Sequence, residues 1–107
     1  MSEIYFTLTG TQYYHGKEFL EAGMHVMLEK DPENKYDKEA IAVKLSGLGK
    51  IGYVANSSHT VVGESFSAGR LYDKIADKAS GKVLYVMPTG VLCKLSKKSL
   101  ITEKLES

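Results

Sequence analysis

Three features of the sequence predict a mostly β fold, a small closed or nearly closed β-barrel of five or six strands with one or two short helices. Apolar and polar residues alternate with period two in several short runs, turn residues separate those runs, and a single stretch carries helical spacing. Closure is the expected arrangement, because it removes the unpaired edges that short strands otherwise expose.

The first strand is read from Ile4, Phe6 and Leu8, which alternate with Tyr5, Thr7 and Thr9. Gly10 and Gly16 bracket TQYYH, and Met24, Val26 and Leu28 then alternate with His25, Met27 and Glu29 as a second strand. The polar loop DPENKYDKE leads to a third inward row, Ile41, Val43 and Leu45. Ser46 to Gly49 form the next turn, and KIGYV supplies a short fourth strand. Val83 to Met87 and Val91 to Leu95 flank Pro-Thr-Gly, a hairpin in which Pro fixes φ and Gly is expected at positive φ. Between them, Leu71, Tyr72 and Ile75 recur at helical spacing after Ser67, the expected N-cap, so one or two short helices are placed within residues 56–80. Residues 1–96 form the expected barrel domain, and residues 97–107 read as a polar C-terminal tail or a short docking helix.

Composition narrows the function. The 107 residues are 43% hydrophobic and 25% charged, enough for one core. Fourteen basic residues against 13 acidic ones leave a formal net charge of +1, so any polyanion must be held locally rather than by an overall field. No apolar run approaches the roughly 20 residues that span a bilayer, and MSEIYF lacks the regions of a secretion signal, so no membrane contact and a cytoplasmic location are expected. Cys93 is alone in a strand-like run and reads as a buried thiol.

No enzyme is indicated. His15, His25 and His59 are scattered, no metal motif is present, and no metal or other cofactor is expected. Ser57 or Ser58 with His59 and Glu64 is a poor nucleophile set, because neighbours in sequence rarely meet in triad geometry. Gly47 and Gly49 in SGLGK read as a hairpin turn rather than a phosphate loop. Arg70, Lys74, Lys78 and Lys82 fall at the spacing of a helix face, but Asp73 and Asp77 interrupt it, which describes a solvated charged surface.

The loop Asp31-Pro32-Glu33-Asn34-Lys35-Tyr36-Asp37 carries the binding chemistry. Pro32 favours an extended Asp31, while Asn34 tolerates a left-handed backbone and can bond its own main chain, so the loop is expected to be ordered. An ordered loop presenting Tyr36 beside Asp37 can stack on a base and accept a hydrogen bond from a sugar hydroxyl. The competing reading has Asp37 stapling the loop by accepting backbone N–H bonds, with Tyr36 packed over the barrel end. Tyr13 and Tyr14 are consecutive, so on a strand they face opposite ways and at least one is exposed. One of them on the same rim as Tyr36 would form an aromatic clamp.

"GTQYYHG", "LEKDPENKYDKEAIAVKL" and "GKIGYV" together resemble the HIRAN domain family, and DP-x-N-x-YD-x-x-AI-x-V is the specific core of the resemblance, which covers about residues 4–95. The family resemblance implies an OB-like barrel, found both in fork-remodelling ATPases and as small bacterial proteins or fusions to helicase and nuclease modules. It implies a module that holds the 3′-hydroxyl end of single-stranded DNA in DNA repair or replication-associated processing, with a helicase or nuclease as partner. By position, Tyr13 and Tyr14 match the aromatic pair beside the terminal nucleotides. Tyr36 and Asp37 match the pair that stacks on the last base and receives the 3′-hydroxyl, with Asn34 in the same loop. Secondary positions are Gln12, Tyr53, Asn56 and Thr89. Three of these depart from the family pattern: Gln12 stands in place of an arginine, Asn56 in place of a lysine and Thr89 in place of an aromatic. Fewer cations mean weaker phosphate contacts, so a protein-interaction or assembly module on the same barrel is the alternative function.

Overall fold

Each alternating run becomes a strand, and the strands close on themselves. A computed structural model describes residues 3–99 of the chain. Its strands are β1 (Tyr5–Thr9), β2 (His25–Lys30), β3 (Ile41–Leu45), β4 (Gly49–Val54), β5 (Lys78–Met87) and β6 (Gly90–Leu95). They pair in the closed order β1-β4-β3-β2-β5-β6, every neighbour antiparallel, which makes an OB-like small barrel. Among the described residues one α-helix forms, α1 (Ala68–Tyr72), and it starts where expected, with the Ser67 side chain accepting a hydrogen bond from the Arg70 N–H at 3.3 Å. Phe6, Leu8, Val26, Leu28, Ile41, Val43 and Ile51 fill the barrel, and Leu71 and Ile75 are buried with them in the same core.

Four local expectations are corrected. Thr11–Tyr13 is a 3₁₀ turn entered through Gly10 at φ 76°, not strand, so Tyr13 and Tyr14 are both exposed rather than split between two faces. Gly90 does not have positive φ; it is buried, and a Cβ there would stand 3.1 Å from Thr7 Cγ2, so its smallness serves the contact with β1. Asn34 is not left-handed, because among the described residues positive φ is confined to glycines. Lys78 and Lys82 lie on β5, which begins five residues earlier than the apolar run suggested, so no continuous basic helix face exists. Gly47 and Gly49, at φ 89° and 79°, make the expected hairpin turn between β3 and β4.

The polar row of β1 behaves differently from a solvent face. Thr7 is fully buried, its Oγ1 within 2.8 Å of Ser65 Oγ and accepting from the Val62 N–H at 3.0 Å. The Ala55 N–H also donates to the Thr7 carbonyl, and the Phe66 N–H to the Tyr5 carbonyl. Residues 55–66 are thereby laid over the outside of β1, which fixes the segment that later forms one side of the site. Cys93 is buried as expected, and burial alone pushes its thiol up to about 12. Lys97–Ser99 form a second 3₁₀ turn, tied to β5 where the Ser80 N–H donates to Ser99 Oγ. The remainder of the expected tail, residues 100–107, lies outside the described residues.

Candidate nucleic-acid interface

The loop between β2 and β3 is organised by one side chain. Asn34 Oδ1 accepts from the N–H groups of Tyr36 at 2.9 Å and Asp37 at 3.0 Å, an Asx arrangement that bends the chain back on itself. Its Nδ2 donates to Asp31 Oδ2 at 3.2 Å and lies 3.4 Å from the Tyr53 hydroxyl. The Asp31 N–H closes the loop neck on the Ala40 carbonyl at 2.8 Å. The expectation that Asn34 bonds its own main chain is met, and the loop is ordered by it.

Asp37 is half-buried and does two things. Its Oδ1 accepts from the Glu39 N–H at 2.9 Å, and its Oδ2 accepts from Asn56 Nδ2 at 2.7 Å. Asn56 in turn accepts the Gly69 N–H on Oδ1 at 2.8 Å, so one amide joins the loop to the start of α1. The join is close: a Cβ on Gly69 would stand 2.7 Å from Glu39 Oε1. Asp37 is therefore neither sealed in the core nor held by backbone alone, because a side-chain donor satisfies one of its oxygens.

Between this loop, the end of β4 and residues 56–60 lies a cavity of about 410 Å³, lined among others by Asn34, Tyr36, Asp37, Tyr53, Asn56 and Thr60. Tyr36 projects from it with 95% of its surface exposed, a large apolar face with nothing packed on it. Tyr14, 42% exposed, stands beside the cavity through Tyr53, their rings 6.5 Å apart and tilted by 48°. Gln12, Tyr13 and Thr89 are exposed, and none of them lines this cavity. The expected set thus divides: Asn34, Tyr36, Asp37, Tyr53 and Asn56 line the cavity, Tyr14 adjoins it through Tyr53, and the other three do not line it.

Lys50 is the residue sequence reasoning missed. Its Nζ donates to the Tyr53 hydroxyl at 2.7 Å and sits 4.7 Å from the Tyr53 ring centroid and 5.9 Å from that of Tyr14. The Tyr53 hydroxyl accepting that bond raises the Lys50 ammonium above the usual lysine range. The Tyr53 hydroxyl passes its own proton toward Asp31 Oδ2 at 3.2 Å. The cause of the omission is a bulge: β3–β4 pairing jumps from Val43↔Gly52 to Lys44↔Lys50, which brings Lys50 and Tyr53, three apart, to the same outer face. On a regular strand that spacing points the two side chains in opposite directions.

His59 meets Ser57 only through its backbone N–H, which donates to Ser57 Oγ at 3.1 Å, so no triad is formed. Among the described residues no group of three His, Cys, Asp or Glu side chains is placed to hold a metal ion, and no helix is long and apolar enough to cross a membrane.

The family model of the HIRAN domain matches residues 1–84. Among solved structures, the chain is similar to the HIRAN domain of human HLTF at 20% identity, covering 88% of this chain and 74% of that one with a TM-score of 0.59. It is also similar to a protein from Lactobacillus plantarum at 20% identity, covering 88% of this chain and 93% of that one, again with a TM-score of 0.59. At that identity the two structures speak for the fold. No curated protein sequence matches the chain.

Proposed function

The chain belongs to the HIRAN domain family, and from that premise and the rim geometry we propose a non-catalytic nucleic-acid-binding module that reads the 3′-hydroxyl end of single-stranded DNA. The observation that carries this reading is the convergence of an unpacked Tyr36, the Tyr14–Tyr53 pair and the Asp37 carboxylate around one open cavity. Tyr36 stacks on the terminal base, and the Tyr14–Tyr53 step supports the next, each stack worth about 1–3 kcal/mol. Lys50 neutralises a phosphate as the strand passes those rings, which offsets the missing cation at Asn56.

Asp37 selects the end. A carboxylate offers about four acceptor positions; those filled by Glu39 and Asn56 leave capacity for a terminal hydroxyl. A terminal phosphate brings like charge to the same place and loses the bond, a difference of about 1.5–3 kcal/mol, or roughly ten- to a hundredfold in affinity. Such a module works in the cytoplasm, in replication- or repair-associated processing, beside a helicase or nuclease partner that supplies the chemistry. The deciding experiment is a fluorescence titration with strands ending in 3′-hydroxyl, in 3′-phosphate, or with no free end. Tight binding of the first alone supports end reading, and Asp37→Asn should narrow the gap; equal affinity for all three sinks it.

A second reading, a protein-interaction module on the same barrel, is favoured by one observation: Asn56, which replaces a cation of the family pattern, is committed to holding Asp37 and Gly69 rather than free for a phosphate. Absence of binding to any strand at low salt would select it.

A further inference from the structure

On the wall of the barrel across from the rim, a second, larger cavity of about 550 Å³ opens over β2, β5 and β6. Lys82, Lys94, Lys97, Lys98 and His25 line it, and among its described lining residues Glu3 is the one acid. Strand order places β5 three strands from β4 in either direction, and this trough and the Tyr36 cavity share no residue.

The trough concentrates charge. Its four lysines against Glu3 carry three net positive charges on a chain whose formal net charge is +1, so the rest of the protein is net negative. Register makes the concentration costly: Lys82 lies directly opposite Lys94, two ammonium groups on adjacent strands, with the His25 ring opposite Lys82 on its other side. Like charges directly opposite one another destabilise a sheet. Glu3 relieves Lys94 alone, through an ion pair at 3.0 Å. An anionic ligand relieves the others.

A second bulge repeats the device found at the rim. The pairing of β5 with β6 shifts between Val83↔Cys93 and Tyr85↔Leu92, leaving Leu84 as the extra residue. Lys82 and Tyr85, three apart as Lys50 and Tyr53 are, are thereby both turned outward, and Tyr85 is 64% exposed. Its strand partner Leu92 lies two positions before Lys94 on the same face. Tyr85 does not line the trough but shares its outer face, and cations in a concave site with an open aromatic ring on the same face suit a flexible strand that carries both phosphates and bases.

We infer that this trough is a second nucleic-acid contact, which holds the phosphodiester backbone of a single strand through Lys82, Lys97 and Lys98 with Tyr85 as its stacking face. The choice of a nucleic acid over other polyanions rests on the proposed rim function, but the contact itself is independent of the 3′ end. The test uses the full chain and a labelled oligonucleotide ending in 3′-phosphate, which the rim is expected to reject. Lys82→Gln, Lys97→Gln and Lys98→Gln are combined, all at exposed positions, and affinity is followed from about 20 to about 200 mM salt. With about 0.7 of slope per phosphate neutralised on a single strand, three contacts make the unsubstituted protein lose about a hundredfold more affinity over that range than the triple variant. Asp37→Asn should leave the slope difference between the proteins with and without the three trough lysines unchanged while altering the preference between 3′ ends, so the two sites fail separately. Equal slopes in the unsubstituted and triple-variant proteins, or no binding of the 3′-phosphate strand at the lowest salt, would overturn the trough. A polyphosphate chain displacing the strand equally well, phosphate for phosphate, would overturn a nucleic acid as its occupant, since Tyr85 then has no base to stack on.

Discussion

Replacing Asn34 by alanine tests whether one side chain holds the reading loop in shape. The substitution removes the acceptor of two backbone N–H groups at 2.9 and 3.0 Å and the donor to Asp31 Oδ2 at 3.2 Å; the 3.4 Å approach to Tyr53 is too long to count for much. A net 0.5–1.5 kcal/mol per well-formed bond would total about 3 kcal/mol, but Asn34 is half-buried and water recovers part of it. The expected loss is about 1–2 kcal/mol, read as a lower urea midpoint with the m-value unchanged, because the barrel itself is untouched. Asn34→Asp separates the two roles. It keeps the acceptor for Tyr36 and Asp37 but sets a second carboxylate beside Asp31, so it should be destabilised at neutral pH and recover as acid lets the pair share a proton. In binding, Asn34→Ala should lose preference for a 3′-hydroxyl end, since Asp37 is no longer aimed. An alanine variant within about 0.3 kcal/mol of the unsubstituted protein, or an aspartate variant equally stable at every pH, would refute the hub.

Gly52→Ala places a Cβ 2.5 Å from the Thr9 carbonyl and 2.6 Å from Leu8 Cδ1, where β1 and β4 close the barrel through only two paired positions, so a loss of about 3 kcal/mol in a urea melt is expected. Cys93, with its thiol pushed up to about 12, should react with a thiol reagent only at the rate of unfolding; prompt labelling of the folded protein would contradict its burial. Hydrogen bonds from Lys94 and Lys44 hold Glu3 and Glu29 below the usual carboxylate range, and a depressed folded value means stabilisation that is present above the ordinary glutamate value and lost as pH falls through the folded one. Glu3 is exposed and Glu29 only half-buried, so the effect is a shallow decline in thermal midpoint on acidification, and Lys44→Met should flatten the Glu29 part of it.

The barrel was legible because each strand's apolar rows survive translation into register: Phe6 and Leu8, Val26 and Leu28, and Ile41 and Val43 all point inward as alternation requires. The Asn34 loop was legible for a related reason, since a side chain bonding residues two and three positions on acts within its own loop. What failed was everything decided by a contact between distant segments or by a break in period. The Asp37–Asn56 bond spans 19 residues, and Thr7 reads as an outward residue until residues 55–66 cover it.

The two bulges matter most, because each inserts one residue and reverses the face of all that follow on its strand. Period-two reading sends Lys50 and Tyr53, and equally Lys82 and Tyr85, to opposite sides of a sheet; the bulges return each pair to one outer surface. A cation and an aromatic ring fall on one outer face twice, in contact on β4 and sharing a face on β5, where alternation alone fails. The same physics that hides these residues from a sequence reading also gives them their use. A local increase in twist re-aims side chains while interrupting the ladder only at the inserted residue, so Ile51 and Val83 stay fully buried while Tyr53 and Tyr85 are turned outward.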